Sequence, residues 1–292
     1  MRCWPRSNTI WRSDVLTASF IFAKGMSEEL ERALWSRGLI SWDILRQYPE
    51  EAAEVLGSSR TGKLVEQIAE AQQALARGDA AWFKTAWPDR ESWRLWKGFA
   101  APERIALVDI ETTGLTPGYD QITVIGLADS TKATAYVAGR PQPGDEPLER
   151  FRDAIKAYHL IVTYNGTGFD LPFIEKSFRD ANFKFTLPHL DVMLPARSVQ
   201  GGLKDMEKQV GIVRPADIKD MRGIEAIQLW GQWKNAGDLA AYRKLTTYCK
   251  ADCVNLKDFT DAVYAKKWQT VYGNHARPVD FAKLKGQQLS IF

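Results

Sequence analysis

The feature that most constrains this chain is the run Ile105-Ala-Leu-Val-Asp-Ile110, an apolar segment of strand length with one carboxylate inside it, closing on Glu111-Thr-Thr-Gly114. A short apolar run bounded by turn residues reads as a buried strand. Side chains alternate along a strand, so Asp109 and Glu111 point to the same face. A solvated strand-end turn is the plainer reading of such acids, but Asp109 lies within the hydrophobic run itself. Burying an unpaired charge is costly and neighbouring carboxylates repel, so a cation held between them is the more economical account.

The pattern after this run is strand and helix in alternation. Residues 121–128 and 133–137 read as strands, 147–158 as a helix, 160–164 as a strand, 171–180 as a helix and 240–265 as the last long helix. A three-strand meander followed by such alternation predicts an α/β sheet flanked by helices. Before it, the composition differs: eight of the 11 Trp precede residue 100. Ser27-Glu-Glu-Leu30 is an N-cap with acids in the first turn, Gly38 stops that helix, Ser41 opens another, and 62–77 carries an apolar stripe. The expected organisation is a small helical Trp-rich module with a connecting arm (1–98), a catalytic α/β domain (99–265) and a basic tail (266–292). Tryptophans at helical spacing fill a small core, with base stacking as the alternative.

With 45% hydrophobic and 26% charged residues the chain is neither disordered nor fibrous, and a net charge of +3 leaves any nucleic-acid footprint to local patches. Three cysteines make no disulfide framework, which favours a reducing, cytoplasmic setting. Cys249 and Cys253, four apart on a helix, read as small core residues. The apolar stretch 18–23 is too short for a signal segment or a membrane span, so no membrane is expected.

Among the 36 acids, two further positions stand out. Asp170 follows Tyr164-Asn-Gly-Thr-Gly-Phe169 and opens a helix with Pro172 near its start, where an N-cap is the alternative role. Tyr248 and Asp252, four apart, share one helix face.

Together, Asp109-Ile-Glu111-Thr-Thr-Gly-Leu115, Tyr164-Asn-Gly-Thr-Gly-Phe-Asp170 and Tyr248-Cys-Lys-Ala-Asp252 resemble the three successive motifs of the DEDD exonuclease superfamily. The tyrosine before the last Asp marks the DEDDy branch; the DEDDh branch would carry His where this chain has Thr247. Within the branch, Trp93-Arg-Leu95, Leu190-Asp191 and Gly201-Gly-Leu-Lys204 resemble segments of the YprB-like ribonuclease-H-like proteins. Cys249 departs from the pattern, since relatives often carry Asn there.

The resemblance implies a ribonuclease H-like mixed sheet flanked by helices and a metal-dependent 3′-5′ exonuclease with two divalent ions, Mg²⁺ or Mn²⁺. It implies that Asp109, Glu111, Asp170 and Asp252 hold the metals, that Tyr248 positions the attacking water, and that Thr112, Thr113, Leu115 and Asn165 grip the terminal nucleotide. A structure-specific endonuclease and a catalytically inactive nucleic-acid-binding protein on the same fold are the alternatives.

The residues after 265 are basic, with Lys266, Lys267, Arg277, Lys283 and Lys285 against Asp280 up to residue 286. A solvated tail and a phosphate-contacting arm are both consistent with that run. The terminal Gln288-Leu-Ser-Ile-Phe292 resembles the short motif by which bacterial replication and repair proteins bind the sliding clamp. Leu289, Ile291 and Phe292 at a terminus are apolar side chains in want of a pocket, with Gln288 beside them. This implies the clamp as a partner, a role in DNA replication or repair, and DNA over RNA as the nucleic acid.

Overall fold

A computed structural model describes residues 14–196, 207–209 and 211–272. Quoted segments 201–204 and 288–292, and most of the basic tail, lie outside the described residues. Two compact units emerge: described residues 14–99 with 265–272, and Ala100–Tyr264.

The first unit is helical: α1 (Asp14–Ala18), α2 (Glu28–Ser36), α3 (Trp42–Gln47), α4 (Pro49–Leu56), α5 (Ser58–Arg77) and α6 (Ala80–Ala86). Ser27 and Ser41 cap α2 and α3 by accepting from the Leu30 and Ile44 amides, as their sequence positions predict. The tryptophans pack rather than stack on solvent: Trp35, Trp42, Trp87, Trp93 and Trp96 are buried. Trp35 and Trp42 also donate their indole N–H to the Ala18 and Ser19 carbonyls at 2.9 and 2.7 Å, which satisfies the one polar atom each brings inside. Arg94, with no exposed surface, is held by Glu91, Glu31 and the Tyr272 hydroxyl at 2.8 to 2.9 Å. Pairing of this kind is what allows a guanidinium into a core.

The second unit is built on a six-stranded sheet, ordered β4-β3-β2-β1-β5-β6. Its strands are β1 (Ile105–Thr112), β2 (Ile122–Ala128), β3 (Ala133–Val137), β4 (Glu146–Pro147), β5 (Leu160–Thr163) and β6 (His189–Asp191). The expected meander is β1 to β3, antiparallel throughout; β5 and β6 then add in parallel on the other side of β1. That makes β1 central. The helical expectation over 147–158 resolves into α7 (Phe151–Ala154) between two 3-10 turns. Next come α8 (Asp170–Ser177), α9 (Met193–Ala196), α10 (Gly223–Ala236) and α11 (Leu239–Tyr272). The last helix runs past Ala265 to Tyr272, so Lys266 and Lys267 lie on it.

Strand alternation divides the core between the two faces of the sheet. Ala106, Val108, Ile110, Ile125 and Ile161 pack with Phe151 from α7, Ile155 from the 3-10 turn after it, and Phe173 and Ile174 from α8. On the other face Val124, Ala135 and Val137 pack with Tyr242, Leu245 and Cys249 from α11. Asp109 and Glu111 alternate with the first set and so face α11. Gly126, directly across from Asp109 in β2, lies against the helix. A Cβ there would stand 2.5 Å from the Cys253 sulfur and 3.0 Å from that of Cys249. Both thiols are fully buried, as small core residues.

Among the described residues no helix is long and apolar enough to cross a membrane.

Candidate active site

The sheet centre and α11 bring the sequence-singled acids together. Asp109 is partly buried and Glu111 buried on β1, just before the register shift between Glu111 and Thr112. Such an irregularity ends regular pairing and re-aims the side chains beside it. Tyr248 and Asp252 are buried one turn apart on α11.

Asp170 arrives by a different route. After β5 the chain turns through Asn165, at φ 64°, a left-handed conformation that Asn tolerates better than most residues. Gly166 follows because a Cβ there would lie 2.0 Å from the Thr163 hydroxyl oxygen. That hydroxyl instead accepts the Gly166 N–H at 3.0 Å. Asp191 at the end of β6 clamps the turn from outside, its two oxygens accepting the Asn165 and Thr167 N–H groups at 2.8 and 3.0 Å and that of Met193 at 3.2 Å. Asp170 then opens α8 as its first helical residue. The N-cap position belongs to Phe169, so the capping role considered for Asp170 does not apply.

The electrostatics register the convergence. Burial, then the charges of Asp252, Asp170 and Glu111, hold the Asp109 carboxyl well above the usual carboxylate range. Burial pushes Asp170 up to about 7, aided by Asp191 and Asp252 and opposed by backbone hydrogen bonds at Asp170 and Ile110. Burial and then the charges of Asp252, Glu111 and Asp109 drive the Tyr248 hydroxyl far above its ordinary value, with Arg214 opposing. Like charges forced together in a dry site disfavour ionisation, and a bound cation relieves this. Ligand atoms of Asp109, Glu111 and Cys249 lie within 4.8 Å of one another, a group able to hold a metal ion.

The turn after β1 is rigid at its base and apolar at its tip. Thr113 pairs with Gln121 through both backbone and side chain. The Asp120 carboxylate accepts the Thr116 N–H at 2.8 Å beneath Gly114, where a Cβ would collide with it. Leu115 and Tyr119 project from this turn with 80% and 87% of their surface exposed. Thr112 is buried, its hydroxyl donating to the Gly114 carbonyl, whereas Asn165 is exposed.

Four residues beside these acids were not read as site residues from the sequence. Asp191 was noticed as part of a segment but not as the clamp on the Asp170 turn. Cys249 donates its thiol toward the Asp109 carbonyl and carboxylate at 3.7 and 3.8 Å. Arg214, 8% exposed, forms a two-pronged pair with Glu207 at 2.7 and 2.8 Å, an ion pair with Asp252, and lies over the Tyr248 ring at 5.6 Å. Neither Arg214 nor Glu207 sits in a pattern with periodicity or spacing to betray it.

Among solved structures, the chain is similar to the family B DNA polymerase from the hyperthermophilic archaeon Pyrobaculum calidifontis, at 17% identity and TM-score 0.43 over 59% of this chain; it spans a quarter (25%) of the polymerase chain. It is also similar to a structure described as the apo form of a nuclease, at 20% identity and TM-score 0.39 over 65% of this chain and 88% of that one. No curated protein sequence matches. The RNase H superfamily family model matches residues 106–264, and because that span is more than half of the chain, from β1 to within α11, the protein belongs to this superfamily.

Proposed function

We propose that the protein is a metal-dependent nuclease of the DEDDy type that removes nucleotides from a 3′ end. The observation that carries this reading is the convergence of Asp109, Glu111 and Asp252 beside the buried Tyr248, with Asp170 close enough to Asp109 and Asp252 for each carboxylate to raise the ionisation cost of another. Carboxylate oxygens are hard donors and suit Mg²⁺ or Mn²⁺, so the donor set fits the ions that the sequence resemblance implies. When bound, such ions polarise a phosphodiester and neutralise the charge that develops on it.

The chain's own residues account for the rest. Burial and the neighbouring carboxylates disfavour loss of the Tyr248 proton in the metal-free protein, so we assign its hydroxyl to orienting the attacking water rather than to taking a proton from it. The Asp191 clamp fixes the turn that carries Asn165 and Asp170. Leu115, exposed on a braced turn beside β1, packs on the terminal base, with Thr112 and Thr113 shaping the backbone under it. DNA as substrate, and attachment to a sliding clamp through Gln288, Leu289, Ile291 and Phe292, complete the reading.

The test uses 5′-labelled single-stranded DNA, duplex DNA and RNA with Mg²⁺ or Mn²⁺. A ladder of progressively shorter products is expected, abolished by Asp109→Asn and by Asp252→Asn. A single internal cut would make the protein an endonuclease; no cleavage of any substrate by pure, metal-loaded protein would refute the proposal.

A further inference from the structure

Asp252 meets a cation that belongs to the chain. The Arg214 guanidinium is buried, with side-chain exposure of 5%, and pairs with Asp252 on one side and with Glu207 on the other. Its central carbon lies over the ring of Tyr248. Glu207 is itself 2% exposed and also accepts from the Asn255 amide at 3.3 Å. A two-pronged guanidinium–carboxylate pair inside a core is geometrically committed. Arg214 is therefore not a loose arm waiting for a phosphate. It is a fixed positive charge beside the carboxylates.

From this we infer that Arg214 is a built-in counter-cation of the carboxylate centre, a positioning residue that competes with divalent ions for Asp252 and so sets the metal affinity. The inference rests on the reading of these carboxylates as a metal centre. The reasoning is one of exclusion and charge. An Asp252 oxygen engaged by a guanidinium is withdrawn from a metal, and a fixed positive charge nearby repels an incoming one. In return, Arg214 relieves the repulsion among Asp109, Glu111, Asp170 and Asp252 when they are ionised without a metal. Glu207 moderates the competition: by sharing the guanidinium charge, it loosens the hold of Arg214 on Asp252.

Two substitutions then act in opposite directions on the same equilibrium. Arg214→Met removes the competitor while keeping an apolar stem against the Tyr248 ring. Glu207→Gln removes the moderating charge and leaves Arg214 more strongly committed to Asp252.

The experiment titrates the full-length protein with Mn²⁺, reading free Mn²⁺ by electron paramagnetic resonance, and follows the melting temperature with and without the ion. Arg214→Met is expected to bind Mn²⁺ at least about tenfold more tightly than wild type and Glu207→Gln more weakly, with the melting-temperature gain on Mn²⁺ addition larger in the first and smaller in the second. Turnover should fall in Arg214→Met even at saturating Mn²⁺, because Asp252 and Tyr248 lose their brace. A purely structural role would lower the melting temperature without tightening Mn²⁺ binding, so unchanged or weaker affinity in a folded Arg214→Met protein overturns the inference. If that variant does not fold, unchanged or tighter binding by Glu207→Gln overturns it instead. No saturable Mn²⁺ binding by the wild type removes the metal-centre reading itself, a distinct outcome.

Discussion

Replacing Asp170 by Asn in metal-free protein should stabilise the fold at alkaline pH, and the reason is visible in the geometry. Asp170 is 4% exposed, and burial with the nearby charges of Asp191 and Asp252 lifts its carboxyl from an ordinary 3.8 to about 7. A rise of that size corresponds to roughly 4 kcal/mol of ionisation penalty borne by the folded state above pH 7. The sign follows from proton binding. Because the folded pKa is the raised one, the folded protein keeps a proton that the unfolded chain gives up between about pH 4 and 7; the penalty is absent below that window and complete above it. Asn carries no charge to bury. It keeps one oxygen to accept from the backbone amides but surrenders the other, a loss of about 1 kcal/mol. The net gain at pH 8 is therefore about 2 to 4 kcal/mol, vanishing toward pH 4. Urea unfolding of wild type and Asp170→Asn in EDTA, at pH 8 and pH 4.5, measures it. Equal stabilities at pH 8, or a difference that does not shrink on acidification, would refute the account of Asp170 as a carboxyl held ionised at a cost.

Tyr248→Phe retains the ring under Arg214 and deletes the hydroxyl alone; turnover should collapse while nucleic-acid affinity, measured in Ca²⁺, stays within about twofold, and equal turnover would leave Tyr248 a packing residue. Gly126→Ala forces a methyl into the two thiols of α11 and should cost about 1 to 3 kcal/mol of stability, with Cys253→Ala in the same chain restoring part of it; thermal melts decide, and full tolerance of the single change would mean that α11 does not approach β2 that closely. Removal of residues 288–292 should abolish binding to a bacterial sliding clamp in a pull-down with purified components while leaving cleavage of free oligonucleotides intact, and clamp binding that survives the truncation would dismiss that motif.

Local patterning made much of this legible before any coordinates. The apolar run 105–110 is a strand because its hydrophobicity is continuous and bounded, and its pleat alone puts Asp109 and Glu111 on one face. Ser27 and Ser41 marked helix starts because capping is a contact between residues three apart. Tyr248 and Asp252 share a helix face by spacing alone. By contrast, β6 is three residues long and has no local signature, and α10 opens on Arg222, an uncommon N-cap, so that its local marks are the Glu225 carboxylate accepting from the Arg222 amide and the left-handed Gly237 at its end.

The site divides the same way. Which residues carry charge or a phenol, and which of them neighbour one another along an element, is settled within a few residues of chain, because strand and helix periods are local. Which elements meet is not. That Gly126 lets α11 close on β1, that Asp191 braces the turn holding Asp170, and that Arg214 and Glu207 arrive beside Asp252 from a segment with no pattern of its own are contacts between residues 24 to 127 positions apart or on separate elements. Burial and mutual charge at those contacts set how readily each carboxyl ionises, and only the folded chain creates them.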